Sequence, residues 1–69
     1  MIGIFKTNIH SPEERQYVIR AISDSFPVGS CHVDLDDCDK VLRIADLEVD
    51  EDIIIKFVQK QGFECAALE

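Results

Sequence analysis

Two short stretches of this sequence combine side chains of the types that can bind metal ions. The first is His10-Ser11-Pro12-Glu13-Glu14, and the second is Asp36-Asp37-Cys38-Asp39. Imidazole, thiolate and carboxylate groups are the ligands that proteins offer to Zn and to other transition metal ions. A metal site built on His10, with Glu14 and Cys38 as further ligands, is therefore one candidate for the chemistry of this chain.

Residue patterns typical of enzymes are missing from the sequence. No Ser or Cys is placed plausibly with a His and an acid for nucleophilic catalysis. The three glycines are scattered, so they form no phosphate-binding loop. The run from Asp34 to Asp39 lacks the glycine and the terminal Glu of an EF-hand. A chain of 69 residues also has too little core to surround a deep substrate cavity. We expect no catalytic residues, no enzyme activity and no organic cofactor.

The charge and the composition narrow the class of partner. Asp and Glu number 14 and Lys and Arg 7, which gives a net charge of −7. Nucleic-acid binding needs clustered cations, which this sequence lacks. No apolar run approaches the roughly 20 residues that span a bilayer, and the N-terminus does not resemble a secretory signal. Three cysteines without a Cys-x-x-Cys spacing indicate reduced thiols. We expect a cytoplasmic protein that binds neither nucleic acid nor membranes.

Local patterns predict the elements that must position these residues. Ser11 has the features of an N-cap, Pro12 those of a first helical residue, and Glu14 completes a capping box. Asp50 is predicted to cap a second helix, which Gly62 ends. The predicted elements are strands 2–9, 30–35, 40–45 and 63–68 and helices 12–26 and 51–61.

The two central strands form a hairpin whose register can be predicted from its side chains. A turn over 36–39 pairs Leu35 with Lys40, Val33 with Leu42 and Cys31 with Ile44. In this register the apolar residues of the two strands share one face. His32 then lies opposite Arg43 on the other face. A shift by one residue would destroy this sorting.

The element order β-α-β-β-α-β predicts the fold. We expect an α+β, ferredoxin-like sandwich in one domain, 1–69, with two helices on one face of a four-stranded antiparallel sheet. In that topology the loop at His10, the turn at Cys38 and the turn at Gly62 share one end of the molecule. Many unrelated functions use this fold, so it does not identify one.

Four short motifs, in the order in which they occur, indicate a resemblance to a known protein family. They are Phe26-Pro27-Val28-Gly29, Val33-Asp34-Leu35, Val49-Asp50 and Gly62-Phe63. Over nearly its whole length the chain resembles a heavy-metal-associated domain, the small module of copper chaperones and metal-transporting ATPases. The resemblance implies a ferredoxin-like fold and a soft metal ion held by the two thiolates of a Met-Thr-Cys-x-x-Cys loop at the first helix.

The metal-binding loop of that family is altered in this sequence. His10 takes the position of the Thr, Ser11 that of the first Cys and Glu14 that of the second Cys. Because both thiols are gone, we expect an interaction or regulatory domain without the two-thiolate site. The alternative is a metal-binding protein for Zn or Cu with a replaced site around His10. A third possibility is a small-ligand sensor whose site forms between two copies.

Two apolar residues of the second helix are candidates for a protein contact. Ile53 and Phe57 lie one turn apart on the flank of the predicted core stripe. They form either an apolar patch for a protein partner or a second copy, or the margin of a wide core stripe. Cys31 and Cys65 fall on the apolar face of their strands and are predicted to be core residues.

Overall fold

The computed structural model describes residues 1–68 and forms the predicted βαββαβ order. Its four strands make one antiparallel sheet in the order β2-β3-β1-β4. The ferredoxin-like α+β fold predicted from the sequence is therefore confirmed. The elements are β1 (Gly3–Thr7), α1 (Pro12–Ser25), β2 (Ser30–Val33), β3 (Leu42–Ala45), α2 (Glu51–Lys60) and β4 (Cys65–Ala67).

The core lies between the two helices and one face of the sheet. Along β1, Gly3, Phe5 and Thr7 are buried, whereas Ile4 and Lys6 between them are exposed. This alternation is the period of a strand that is covered on one side. Both helices contribute to the same buried cluster as the strands, with Val18, Ile22, Ile54 and Val58 as their fully buried members. The other face of the sheet is left open.

The predicted register of the central hairpin is confirmed, but its turn is longer than predicted. His32 pairs with Arg43 and Val33 with Leu42. Leu35 and Lys40 do not extend the ladder, because β2 ends at Val33 and β3 begins at Leu42. Lys40 has a left-handed backbone with φ of 46°, which directs the chain out of the extended conformation before β3 begins.

Strands β1 and β4 are shorter than predicted because side chains replace the ladder near their paired ends. The side chain of Asn8 donates to Oε2 of Glu64 at 3.2 Å, and its Oδ1 accepts from N of Glu64 at 2.8 Å. Thr7 N donates to the carbonyl oxygen of Asp39 at 3.0 Å. These bonds satisfy the backbone where pairing between strands stops.

The two helices begin differently. At α1, Ser11 Oγ accepts from N of Glu14 at 3.1 Å, as predicted for a capping box. The carboxylate of Glu14 returns to N of His10, one residue before the cap. At α2, Asp50 is the N-cap residue, but its side chain accepts no hydrogen bond from the first turn. Gly62, with φ of 95°, follows the C-terminus of α2. In residues 1–68, neither helix is long and apolar enough to cross a bilayer.

Candidate functional site

Three connections meet at one end of the fold, as the topology predicted. At the end of β1, Thr7 N donates to the carbonyl oxygen of Asp39 and so joins the start of the following loop to the hairpin turn. The loop after β1 contacts the segment between α2 and β4 through the two bonds between Asn8 and Glu64. This end carries the candidate metal ligands, so their separation can be compared directly.

His10 and Glu14 form one pair at this end. Nδ1 of His10 lies 3.0 Å from Oε1 of Glu14 and 3.3 Å from the carbonyl oxygen of Asn8. Both neighbours are acceptors, so Nδ1 carries the ring proton and Nε2 keeps a lone pair when the ring is neutral. The same Glu14 oxygen accepts from the backbone N of His10 at 3.1 Å. Because this carboxylate oxygen already serves the helix cap, it is a poor candidate for a metal ligand.

Cys38 lies in a different group. The ligand atoms of Asp37, Cys38 and Asp39 all lie within 4.8 Å of one another. In residues 1–68, this is the one group of three or more His, Cys, Asp and Glu side chains at such distances, so the predicted set of His10, Glu14 and Cys38 is not brought together. Asp37 Oδ1 accepts from N of Asp39 at 2.8 Å, and Asp39 Oδ1 lies 3.6 Å from Nζ of Lys6. Each of these two carboxylates therefore already has a partner, within the turn for Asp37 and in β1 for Asp39.

The other two cysteines belong to the core, as predicted. Cys31 and Cys65 are buried members of the main apolar cluster, and all three thiols are free. Burial raises the pKa of each buried thiol from 9.0 to about 11, because a low-dielectric surrounding disfavours the thiolate. The buried thiols are therefore neutral near pH 7 and are poor nucleophiles and metal ligands.

The two candidate contact residues of α2 differ in their surroundings. Phe57 packs against the margin of the core, whereas Ile53 is 46% exposed and lies outside the buried cluster. The ring of Phe57 meets the ring of Phe26 edge to face, with centroids 5.1 Å apart. A shallow apolar depression of about 260 Å³ lies here, which we name the α2 groove. Its lining residues are Phe26, Ile53, Lys56, Phe57 and Lys60.

Sequence reasoning missed the contribution of Phe26 to this groove. The residue caps the C-terminus of α1, directly before Pro27, and its ring packs onto α2. The local signal was present, because a proline after an apolar residue marks a helix end. That local pattern does not predict which element the ring of Phe26 contacts.

A second apolar surface, on the open face of the sheet, was also missed. Ile2 is 65% exposed, and Ile4 and Leu68 are partly exposed. Leu68 N donates to the carbonyl oxygen of Ile4 at 3.0 Å, and Arg43 pairs with Ile4 on the other side. The period of β1 carried this signal, since residues that alternate with the buried Phe5 must face outward.

Comparison with known proteins yields no relative: neither a protein-family model, nor a curated protein, nor a solved structure matches this chain significantly. The resemblance to heavy-metal-associated domains stays a prediction from the residues.

Proposed function

We propose that this domain is a non-enzymatic protein-interaction module that binds its partner through the α2 groove. The observation that carries the proposal is the placement of Ile53, an isoleucine that is 46% exposed beside the Phe26–Phe57 ring pair. Burying apolar area of this kind stabilises a complex by roughly 25 cal/mol per Å² before the costs of association. Aromatic residues in a depression are also typical anchors of protein interfaces.

The rim of the groove favours a particular kind of partner. Lys56 and Lys60 border it on the exposed side of α2. Long lysine side chains can line apolar surface with their methylene groups while the ammonium group stays in water. The net charge of the protein is −7, so these two lysines make the groove locally more positive than the molecule as a whole. The surface suits an apolar side chain flanked by carboxylates.

The altered loop argues against a role in metal transfer. Ser11 and Glu14 of this chain occupy the positions at which the family that it resembles has its two metal-binding cysteines. Here Ser11 Oγ accepts from N of Glu14, and the Glu14 carboxylate accepts from N of His10. Both side chains therefore serve the start of α1. The free thiols fit the reducing cytoplasm, which we propose as the compartment.

Photo-crosslinking from α2 in living cells tests the proposal. A photoreactive residue in place of Lys56, an exposed residue that lines the groove, would form adducts that mass spectrometry identifies. We expect Ile53→Asp to abolish the adducts, because a carboxylate cannot enter an apolar contact without loss of hydration. Ile2→Asp is the matched control, since Ile2 is also exposed but lies at the sheet.

The outcome is read together with the fold of each variant. Both variants are expected to keep the wild-type circular dichroism spectrum, because both side chains are exposed. The same adducts in Ile53→Asp as in the wild type would refute the groove as the contact surface. Adducts lost equally in both variants would also contradict the proposal.

A further inference from the structure

Helix α2 has its charges separated along its length. Asp50, Glu51 and Asp52 lie at its N-terminal end, and Lys56 and Lys60 lie in its second half. This order suits the helix dipole. It also makes the helix electrostatically complementary to an antiparallel copy of itself, because each acidic end then lies beside a basic end.

The apolar residues of the groove share the face on which such a copy could pack. Ile53, Phe57 and Lys60 are spaced by four and three residues, which places them on one side of the helix. An antiparallel register that sets Ile53 against Phe57 of a second copy brings Asp50 opposite Lys60 of that copy. The register also places Asp52 near Lys56 of the second copy, so the ion pairs and the apolar contact agree.

We propose that the occupant of the α2 groove is helix α2 of a second copy of this chain, packed antiparallel about a twofold axis. This inference rests on the proposed function and names its partner. In a twofold interface each contact occurs twice, so Ile53 of either copy fills the groove of the other. Parallel packing would instead bring like charges together and is disfavoured.

The size of the surface determines how tight the dimer is. A helix of the length of α2, which has 10 residues, is about 15 Å long. Two such helices with the neighbouring Phe26 bury less than the roughly 1,200 Å² of a typical stable interface. We therefore expect a dimer that exchanges with monomer and whose population rises with concentration.

Sedimentation velocity over a concentration series tests the dimer, with variants in which the charge of one interface residue is reversed. The measurements use a Cys38→Ser background with reductant, because Cys38 is exposed and could otherwise crosslink two copies. Asp50→Lys and Lys60→Asp each place like charges at both symmetry-related contacts, and each is expected to weaken dimerisation by about tenfold or more. Neither change removes a side-chain cap, because Asp50 makes no cap bond.

An equimolar mixture of the two variants is the decisive sample. A mixed dimer of Asp50→Lys with Lys60→Asp has opposite charges at both contacts, so we expect the mixture to dimerise about as well as the wild type. A mixture that stays as weak as its components would overturn the antiparallel arrangement. Single variants that dimerise like the wild type would place the interface elsewhere.

The failure of this inference is distinguishable from the failure of the proposed function. A wild-type protein that stays monomeric at about 1 mM would overturn the second copy as occupant. If crosslinked adducts to a different protein were then lost in Ile53→Asp, the groove would remain an interaction surface. If no groove-dependent adducts formed either, both the dimer and the interaction module would be rejected.

Discussion

One carboxylate oxygen of Glu14 lies 3.1 Å from the backbone N of His10 and 3.0 Å from Nδ1 of its ring. A single side chain thus holds both the backbone and the imidazole of the residue before the N-cap. The ring is 72% exposed, so water screens its attraction to the carboxylate. The pair fixes the start of α1 and the tautomer of His10, and it leaves Cys38 in a separate group of side chains.

We predict that His10 does not support a stoichiometric site for Zn or Cu(I). Its nearest candidate co-ligand, Glu14, already accepts a hydrogen bond at the start of α1. Within residues 1–68, Cys38 is grouped with Asp37 and Asp39 and not with His10. Native mass spectrometry of reduced, tag-free protein with each metal measures the stoichiometry. We expect His10→Ala to leave the spectrum of bound species unchanged.

A variant with two thiols provides the positive control for this titration. Ser11→Cys combined with Glu14→Cys restores the spacing of the family that the chain resembles, and two thiolates favour a soft metal ion. We expect this variant to bind one ion where the wild type does not. A wild-type complex that His10→Ala abolishes would contradict the prediction and support the metal-binding alternative.

The two N-caps are predicted to differ in their contribution to stability. Ser11 accepts a hydrogen bond from N of Glu14, whereas the Asp50 side chain accepts none from its helix. We expect Ser11→Ala to lower the free energy of unfolding by about 1 kcal/mol. Asp50→Ala removes only a charge near the helix N-terminus and is expected to cost about 0.5 kcal/mol or less. Urea unfolding followed by circular dichroism measures both values.

Equal losses in the two variants would contradict this difference. The matched control is Ser23→Ala, which changes an exposed serine inside α1 that occupies no cap. Since Ala has the higher helix propensity, this control is expected to be neutral or slightly stabilising.

Most of the fold could be predicted because its signals are local or periodic. The capping sequence at Ser11 defined the start of α1, and Gly62 defined the end of α2. The sorting of His32 and Arg43 away from the apolar residues determined the hairpin register, which is confirmed. These features depend on neighbours in the chain or on the period of one strand, so they can be inferred without knowledge of the packing.

The remainder could not be predicted because it depends on contacts between distant segments. The ends of β1 and β4 follow from the side-chain bonds between Asn8 and Glu64. The α2 groove requires Phe26 to reach Phe57 across the helix pair. The His10 and Cys38 groups share one end of the fold, as predicted. Topology alone, however, does not determine the distances between individual side chains at that end.

The three thiols are predicted to differ in reactivity. Cys38 is exposed, whereas Cys31 and Cys65 are buried with pKa values raised to about 11. Because the thiolate is the nucleophile, we expect iodoacetamide at pH 8 to modify only Cys38 in the folded protein. Mass spectrometry is expected to show one adduct without denaturant and three in urea. The variant Cys38→Ser is expected to remain unmodified while folded, and rapid labelling of that variant would contradict the assignment of buried, neutral thiols.

The same burial predicts that stability falls in alkaline solution. Above the ordinary thiol pKa of 9.0, the unfolded chain loses its thiol protons, while the folded protein keeps those of Cys31 and Cys65 up to about pH 11. The unfolded state then binds fewer protons than the folded state, so the free energy of unfolding decreases as the pH rises through this range. Urea unfolding between pH 8 and pH 11 measures the decrease. The double variant Cys31→Ala/Cys65→Ala removes both groups and is expected to lose less stability over this interval than the wild type, since other alkaline titrations are common to both proteins. An equal decline in the two proteins would show that the buried thiols are not its cause.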